Sequence, residues 1–404
     1  MTVNMKNIPR DIIKELQNYK ICDFCLGRLF SSSDDYETIQ SEGRIIRTSF
    51  SLQKSTIQSC QLCDGLIKEI PLYKKMILNA IKSYEFSSFV IGFHIDDELL
   101  TKEEKIISSY DSFSGQSLKN FLQKTIGSSL EKTLKIPVDF EKPEMMIIFN
   151  TMFNSVSLQI KSLYIYGRYN KFDRSIPQTK WFCRACHGKG CRRCDYTGAL
   201  YETSIEEIIA KPILEITKGI DESFHGAGRE DIDVKMLGNG RPFILEINSP
   251  KKRKLDLEKI QNTINKNKQI KVTNLRYSDK NDIKRIKEAK FRKVYHVRFE
   301  GKTAFKTENL NKVALALRGK IIKQFTPTRV AKRRANKIRK RQIFTCTVLE
   351  VDETMATFAI ETESGTYVKE LVNGDDGKTT PSISELIGQP CKVVSLDVME
   401  IKGE

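Results

Sequence analysis

The chain has 404 residues, more than a single domain usually contains, so two or three domains with separate cores are expected. Lys and Arg outnumber Asp and Glu by 68 to 51, and the net charge of +17 indicates a polyanionic partner, either a nucleic acid or an anionic membrane surface. No apolar run approaches the ~20 residues that span a bilayer, and the opening MTVNMKNIPRDIIKEL is polar and helix-like rather than a secretory signal. The sequence therefore predicts an intracellular, cytoplasmic protein with no membrane partner.

Cysteines dominate the chemistry of the first predicted segment, residues 1–66, which begins with a helix in PRDIIKELQNYK. Eight of the ten cysteines in the chain form C-x-x-C pairs, a pattern that indicates metal binding in a large intracellular protein. The first two pairs, CDFC and CQLC, supply Cys22, Cys25, Cys60 and Cys63. A redox dithiol is the alternative, but it does not explain two matched pairs. We expect these four thiolates to hold one structural zinc.

Helix and strand patterns alternate in the second predicted segment, residues 67–165. YKKMILNAIKSY and SLKNFLQKTIGSSLEKTL have helical periodicity, whereas SFVIGFHI, MMIIFN and SVSLQIKSLYIYG are typical of strands. The element order and the PEMMIIFN strand resemble a THUMP domain, the module with which many RNA-modifying enzymes hold tRNA. A generic α/β domain is the alternative that these residues leave open.

A second cysteine motif, CRACHGKGCRRC, occupies residues 183–194. Its candidate ligands are Cys183, Cys186, Cys191 and Cys194. Gly188 and Gly190 allow the backbone to fold tightly around a metal. The C-x-x-C-x-G-x-G core is similar to the zinc repeats of DnaJ-type chaperones, but those proteins use several repeats. We therefore expect a structural zinc knuckle inserted into another domain. The two remaining cysteines, Cys346 and Cys391, lie in apolar strand-like stretches and are expected to be buried core thiols.

Glycines, acids and arginines are concentrated in HGAGREDIDVKMLGNGRPFILEI, residues 225–247. Gly226 and Gly228, then Gly238 and Gly240, bracket a segment of alternating apolar and charged residues, which predicts turn, strand, turn and strand. A carboxylate at the mouth of such a turn is well placed for chemistry. The alternative is a turn with a solvated ion pair.

Two charged segments follow, a predicted helix in residues 251–267 and a basic arm in residues 323–341. The arm carries nine basic residues and no acidic one, a composition also found in solvated faces and in membrane-surface or nuclear-targeting segments. Arginine binds phosphate in a bidentate manner that lysine cannot reproduce. We expect the arm to contact phosphates through Arg329, Arg333, Arg334 and Arg339.

Four stretches together resemble the catalytic domain of pseudouridine synthases: GREDIDVKMLGNGRPF, KVYHVRFEG, the basic arm and ESGTYVKELVNGDDGKTTPSISELIG. In their order and in their residues they are similar to pseudouridine synthase family ten, the archaeal enzymes that act on uridines 54 and 55 in the T loop of tRNA. The resemblance covers residues 166–404. It implies an α+β fold, in which a mixed or antiparallel-sheet catalytic domain carries the knuckle and follows the α/β THUMP-like accessory domain. It also implies a monomer that acts on tRNA.

The resemblance assigns roles to individual residues. The G-R-x-D pattern falls on residues 228–231 and makes Asp231 the catalytic aspartate, with Asp233 as its nearest rival. Tyr295 in KVYHV matches the tyrosine whose ring packs on the target base. Lys369 in GTYVKEL stands where related synthases place the basic residue that pairs with the aspartate.

Three further positions are expected to contact the substrate. Tyr367 and Leu371 belong to the GTYVKEL motif, and Leu371 would form a wall of the pocket. Arg229 is a candidate to fill the space that a flipped-out uridine leaves in the tRNA. Gln178 and Trp181 in QTKW are either core anchors or RNA contacts.

The chemistry of uridine isomerisation supports the same residue types. The N1–C1′ bond breaks, the base turns, and C5 joins C1′, so no organic cofactor and no small-molecule cosubstrate is needed. The reaction needs an ionised carboxylate near the sugar, a cation to keep it charged, and an aromatic residue to hold the detached base and remove the C5 proton. A non-catalytic zinc-containing tRNA-binding protein is the alternative, but it gives no reason for these motifs. A methyltransferase or thiolase would need a glycine-rich nucleotide loop, which the sequence lacks.

Overall fold

A computed structural model describes residues 8, 10–31, 33, 35–108, 115–331 and 335–403 of the chain. Arg333 and Arg334, two of the expected phosphate contacts, lie outside the described residues. The chain divides into two compact units, Met1–Lys161 with Ser249–Arg253, and Ser162–Asn248 with Lys254–Glu404. No helix within the described ranges is long and apolar enough to cross a membrane.

The first unit combines helices with a small sheet. Its helices are α1 (Arg10–Leu16), α2 (Asp23–Phe30), α3 (Tyr36–Ser49), α4 (Ile70–Ile81), α5 (Asp97–Ser108) and α6 (Leu118–Leu134). Its strands are β1 (Phe89–His94), β2 (Met145–Asn150) and β3 (Ser155–Ile160). The strand order is β1-β2-β3, with β1 parallel and β3 antiparallel to β2. The alternation expected in residues 67–165 is therefore present.

Helices α3 and α6 of the first unit begin where side chains satisfy free backbone N–H groups. Asp35 accepts from Thr38 N at the start of α3, and Ser117 accepts from Asn120 N at the start of α6. Helix α5 was not predicted from the sequence, because DELLTKEEKIIS is largely charged. Its buried face includes Glu103, which forms an ion pair with the fully buried Arg28.

The second unit is built on one large sheet. Its strands are β4 (Leu163–Lys171), β5 (Asp221–Gly226), β6 (Lys235–Asn248), β7 (Ile270–Ser278), β8 (Arg292–Gly301), β9 (Ile321–Gln324), β10 (Arg339–Asp352), β11 (Met355–Thr362), β12 (Thr379–Thr380) and β13 (Cys391–Lys402). Its helices are α7 (Ile205–Thr217), α8 (Leu257–Ile264), α9 (Lys280–Glu288), α10 (Thr307–Leu317), α11 (Val368–Asn373) and α12 (Ile383–Ile387). The charged helix expected in residues 251–267 is thus shorter than the charge pattern suggested.

The described strands follow the order β12-β9-β10-β11-β8-β13-β6-β4-β7, with β5 paired to β6. Strands β6 and β13 are parallel, and the other pairs are antiparallel. The expected mixed-sheet α+β fold is confirmed. Strand β4 is buried along all nine residues, which explains its apolar and aromatic first half, LYIY, and requires partners for the buried Arg168, Asn170 and Lys171. Cys346 in β10 and Cys391 in β13 are 4% and 5% exposed, as expected of core thiols.

The predicted turn at Gly238 and Gly240 is wrong, because both glycines lie inside the continuous strand β6. They mark a bulge between two pairings, with Asp397 of β13 opposite Lys235 and Tyr169 of β4 opposite Arg241. Both glycines have positive φ, and a Cβ on Gly238 would lie 1.7 Å from the Met399 carbonyl oxygen. The strand therefore bends where neighbouring backbone leaves no space for a side chain.

Candidate active site

The predicted catalytic aspartate lies in a cleft of about 920 Å³ in the second unit. The loop 227–234, between β5 and β6, forms one wall, and the start of α11 forms another. The sequence had predicted a strand between the two glycine pairs, but residues 227–234 form a loop and strand β6 begins only at Lys235. Gly228 within the loop has φ of +84°. The volume is within the range of pockets that hold a nucleotide-sized ligand.

The loop is fixed from behind by side chains that donate to its backbone carbonyl groups. Arg241 Nη1 donates to Ala227 O at 2.8 Å, and Gln178 Nε2 donates to Gly228 O at 3.0 Å. Lys171 Nζ, at the end of β4, donates to Ile232 O at 2.6 Å and to Ile176 O at 3.0 Å. Arg174 Nη1 donates to Asp233 O at 2.8 Å. Loop carbonyls that water would otherwise solvate are therefore held in one arrangement.

Glu230 anchors the loop in the core. Its carboxylate lies 2.8 Å from Arg241 Nε, and each side chain is 1% exposed. Tyr169 Oη donates to both carboxylate oxygens at 2.8 and 3.0 Å, and Gln178 Nε2 donates to Tyr169 Oη at 2.8 Å. Burial opposes the charge on Arg241, but Glu230 raises its pKa above the ordinary value. This network fixes the position of the residue beside Asp231.

Asp231 points the other way, into the cleft, with 41% of its side chain exposed. Arg329 Nη1 lies 2.9 Å from Asp231 Oδ2, and Lys369 Nζ lies 3.4 Å from the same oxygen. The rest of the Arg329 guanidinium binds Glu370, with Nε 2.7 Å from Oε1 and Nη2 3.4 Å from Oε2. Arg329, expected to contact phosphate, therefore bridges the loop carboxylate and a buried glutamate of α11.

Lys369 was expected to pair with Asp231, but its shorter contacts go to Asp233. Lys369 Nζ donates to both carboxylate oxygens of Asp233 at 2.8 Å. Partial burial opposes the charge on Asp233, and the hydrogen bond and charge of Lys369 outweigh it and lower the pKa of that carboxyl. Lys369 thus holds both loop aspartates at one edge of the cleft.

Two buried residues of β8 line the floor of the cleft, Tyr295 and Lys293. Alternate residues of a strand face the same side of the sheet, so both side chains point the same way. Burial raises the pKa of Tyr295 to about 12, so its phenol is protonated at neutral pH. Burial, helped by the neighbouring Arg241 and opposed by Glu230, lowers the pKa of Lys293 to about 7. The sequence had indicated Tyr295 but gave no role to Lys293.

The QTKW segment meets the cleft in two ways. Gln178 is a buried anchor, as its contacts with Tyr169 and Gly228 show. Trp181 lines the cleft, and the exposed Arg229 lies over its ring with Cζ 5.1 Å from the centroid. Tyr201 meets Trp181 edge to face at 5.8 Å. Arg229 therefore lies on an aromatic platform at the rim of the cleft.

The GTYVKEL motif lies opposite the loop. Tyr367 lines the cleft, and Gln324 holds its backbone through two hydrogen bonds of 2.9 Å, one accepted from Tyr367 N and one donated to Tyr367 O. Leu371 is fully buried and lies outside the set of residues that line the cleft. Val368, one helical turn earlier, supplies the apolar wall that was expected of Leu371.

Comparison with known proteins agrees with this geometry. The family model described as Pus10, C-terminal, matches residues 164–402, and the archaeal Pus10 THUMP domain model matches residues 73–150. The chain belongs to the Pus10 family. A tRNA pseudouridine synthase Pus10 from Methanocaldococcus jannaschii is 36% identical over 98% of this chain and 95% of that protein. Proteins of the same name are 37% identical in Methanothermobacter marburgensis, over 97% of each chain, and 39% identical in Methanococcus voltae, over 86% of this chain and 68% of that protein.

The two predicted cysteine clusters of this Pus10 family member are assembled. In each, the four sulfur atoms lie within 4.8 Å of one another, so each cluster could hold a metal ion. The first cluster is fully buried, and in the second only Cys183 is buried. Backbone N–H groups point at sulfur in both, with Cys22 N 3.3 Å from Cys60 Sγ and Gly190 N 3.2 Å from Cys186 Sγ.

The residues that sequence reasoning missed are those that hold the loop from behind. Arg241 lies inside the GREDIDVKMLGNGRPF stretch, and Lys171 and Arg174 precede it, but the sequence indicated no role for any of the three. One signal was available, because Lys171 and Arg241 are cations in strands that also contain runs of apolar and aromatic residues. A buried charge in such a strand requires a nearby polar group, and here that group is the backbone of the loop 227–234.

Proposed function

We propose that this chain isomerises uridine 54, uridine 55 or both in the T loop of tRNA, using Asp231 and no organic cofactor. The observation that carries the proposal is the Asp231 carboxylate itself. It faces a cleft of nucleotide size, lies within 3.4 Å of two cations, and is held on a loop whose backbone is fixed by buried side chains. Tyr295 on the floor of the same cleft supplies the ring.

The proposed reaction moves one bond and needs no outside reactant. As the N1–C1′ bond breaks, its electron pair stays with uracil, and Asp231 either bonds to C1′ or removes a proton from the ribose. The detached base turns while it lies against the Tyr295 ring. C5 then bonds to C1′ as the bond between C1′ and Asp231 breaks, or as the ribose regains its proton from Asp231. The C5 proton leaves, and N1 gains a proton. Atoms and charge balance, so the product is an isomer of the substrate.

The cations around Asp231 favour its ionised form. Arg329 and Lys369 lie on the opposite wall from the loop, so they stabilise the carboxylate without depending on loop packing. Tyr295, protonated at neutral pH, presents its ring as the packing surface. A proton acceptor for C5 would need an ionised phenol or another base.

The target nucleotide must leave the tRNA stack to reach this carboxylate. Unstacking costs a few kcal/mol, and contacts between phosphates and a protein of net charge +17 offset it. Arg229, exposed on its tryptophan platform at the rim, is placed to occupy the vacated position. Arg339, whose guanidinium lies 5.8 Å from the Tyr367 ring, also lines this entrance.

The test is incubation of purified protein with an unmodified tRNA transcript and no added cofactor, followed by mapping of pseudouridine at single-nucleotide resolution. We expect pseudouridine at position 54, 55 or both, and at no other uridine. A protein that binds the tRNA tightly and forms no pseudouridine would be a tRNA-binding protein rather than a synthase. Gel filtration of the free protein tests the expected monomer.

We also propose that both cysteine clusters hold structural zinc. Tetrahedral zinc with Zn–S bonds of about 2.3 Å separates its sulfurs by about 3.8 Å. In the knuckle, the Cys186 to Cys194 and Cys191 to Cys194 sulfur distances are 3.8 Å, and the Cys183 to Cys191 distance is 4.0 Å. Four thiolates leave no open position for a substrate, and none of these cysteines lines the cleft. These zinc ions would order the backbone around them.

Metal analysis of the purified chain should give two zinc ions per protein. A chelator should remove zinc faster from the knuckle, because three of its cysteines are partly exposed, whereas the first cluster is buried. Cys194→Ser and Cys60→Ser, which remove one ligand from each cluster, identify the two kinetic phases. Active, fully folded protein without metal would disprove the structural role.

A further inference from the structure

Lys293 occupies a position in the cleft that the proposed reaction steps above leave unexplained. Its side chain lies on the same face of β8 as Tyr295, and the residue is only 7% exposed. It reaches the catalytic loop, because a Cβ on Gly228 would lie 2.9 Å from Lys293 Nζ and 3.2 Å from Arg241 Nη1. The missing side chain of Gly228 therefore leaves the space into which this amine projects.

Within the described part of the chain, Lys293 Nζ has no hydrogen bond and no ion pair within 4.0 Å, although it lines the cleft. Lys171 gives the contrast, because it is equally buried and donates to backbone carbonyls at 2.6 and 3.0 Å. An amine that loses water and gains no partner is destabilising, and this is why burial lowers the pKa of Lys293 to about 7. Folding alone gives no reason for a lysine here.

The other cations that line the cleft have partners among the described residues. Arg329 and Lys369 are engaged by carboxylates of the loop and α11, and Arg241 is engaged by Glu230. The remaining arginines of the lining contact backbone, carboxylate or an aromatic ring. Lys293 thus offers the cleft a donor that a bound molecule can use without breaking an existing contact.

The proposed reaction creates a negative charge that the Lys293 donor could bind. When the N1–C1′ bond breaks, the electron pair makes uracil an anion with charge spread over N1, C5, O2 and O4. This holds whether Asp231 bonds to C1′ or removes a ribose proton. In either route Asp231 ends this step without charge, as an ester or as a carboxylic acid, and Tyr295 brings a ring without charge. A donor aimed at developing negative charge in a site that excludes water lowers the barrier.

We propose that Lys293 is a further catalytic residue, whose amine binds the uracil of the target uridine and stabilises its negative charge as the N1–C1′ bond breaks. The inference rests on the proposed function and assigns a task within it. An amine donates N–H in its neutral and its charged form, and an anionic base favours the charged form. Lys293 then gains in the complex the partner that it lacks in the free protein.

The decisive experiment compares two leaving groups. A tRNA transcript made with 5-fluorouridine carries a base whose anion is more stable, because fluorine withdraws electrons, so its detachment needs less help. The first step is measured as consumption of target uridine or target 5-fluorouridine in single-turnover reactions with enzyme in excess. Wild type, Lys293→Met and Lys293→Gln are compared on both transcripts. A tRNA binding titration and a thermal denaturation curve accompany each variant.

We expect Lys293→Met to slow consumption of uridine by about 100-fold, the typical effect of removing one donor from developing negative charge. The loss on 5-fluorouridine should be about tenfold or less. Lys293→Gln, which keeps an N–H donor without a full charge, should fall between wild type and Lys293→Met. Affinity for tRNA should change by less than about threefold. Lys402→Met is the matched control, because Lys402 pairs with Glu361 outside the cleft and should leave both rates unchanged.

Equal losses on the two transcripts would overturn the inference, because a packing role does not depend on the leaving group. Unchanged rates would overturn it as well. If wild type forms no pseudouridine on the unmodified transcript, the proposed function itself fails, and this inference fails with it. Should Lys293→Met not fold, Lys293→Gln carries the same comparison.

Discussion

Glu230 and Asp231 are adjacent acids with opposite surroundings. The Glu230 side chain is 1% exposed and forms an ion pair with Arg241, whereas Asp231 is 41% exposed and lies between Arg329 and Lys369. The partners of Glu230 lie in the core strands β4 and β6, and those of Asp231 lie on the far wall of the cleft. The loop therefore has a structural face and a chemical face one residue apart.

The difference separates two uses of charge. A buried ion pair contributes little net stability compared with an apolar pair, but losing one partner leaves an uncompensated charge in the core. An exposed carboxylate contributes little to folding, so it remains available for substrate. Substitutions at these neighbouring positions should therefore affect different measurements.

The largest effect is expected at Asp231. Asp231→Asn keeps the size of the side chain and removes its charge, so pseudouridine formation should fall by several orders of magnitude while tRNA binding and the melting temperature change little. A single-turnover assay, a binding titration and a denaturation curve give the three values. Asp233→Asn is the matched control and should be much milder. If Asp233→Asn were inactive and Asp231→Asn active, Asp233 and not Asp231 would be the catalytic aspartate.

Glu230 should show the reverse pattern. Glu230→Gln leaves Arg241 buried without an anion, so the free energy of unfolding should fall by about 3–5 kcal/mol. The rate per folded molecule should fall far less than in Asp231→Asn. Urea unfolding and single-turnover kinetics at a temperature where the variant is folded measure the two quantities. The double variant Glu230→Met, Arg241→Met should recover most of the lost stability. If it does not, the hydrogen bonds of the pair also stabilise the fold.

A smaller effect tests how the chemical face is held. Arg329→Lys keeps the charge, but a single amine cannot span Asp231 and Glu370 as the guanidinium does. We expect about a tenfold lower single-turnover rate, with tRNA affinity nearly unchanged. Arg339→Lys is the control, since Arg339 also lines the cleft but donates to Thr326 and a backbone carbonyl. Equal losses in the two variants would indicate a general contribution of arginine to RNA binding.

The last prediction concerns stability rather than rate, and it involves pH and Lys293. Its pKa is about 7 in the folded protein, against about 10.4 in an unfolded chain, so the folded state binds fewer protons between these values. The free energy of unfolding contributed by this group therefore rises with pH across that window. The stability of Lys293→Met relative to wild type should be greatest at pH 7 and below and should shrink toward pH 9. Urea titrations at several pH values measure this difference in stability. A difference that does not change with pH would mean that the Lys293 amine is hydrated and has an ordinary pKa.

The sequence predicted much of the chemical face. The order of GREDIDVKMLGNGRPF, KVYHVRFEG and GTYVKEL identified Asp231, Tyr295 and Lys369 as one constellation, and all three line the same cleft. Local patterns also predicted the helices and strands of residues 67–165 and both cysteine clusters, because metal-ligand spacing and alternation of apolar residues are properties of neighbouring positions.

The tertiary structure alone decided the structural face and the charge pairing. Lys171 and Gln178 lie far from Asp231 in sequence, and strand pairing in the sheet brings them, with Arg241, behind its loop. The bulge at Gly238 and Gly240 and the pairing of Arg329 with Asp231 have the same origin. A motif is a short run of neighbouring residues, so the sequence alone can indicate which side chains a reaction needs. Which cation meets which carboxylate depends on distances across the sheet, and these are set when distant segments pack together.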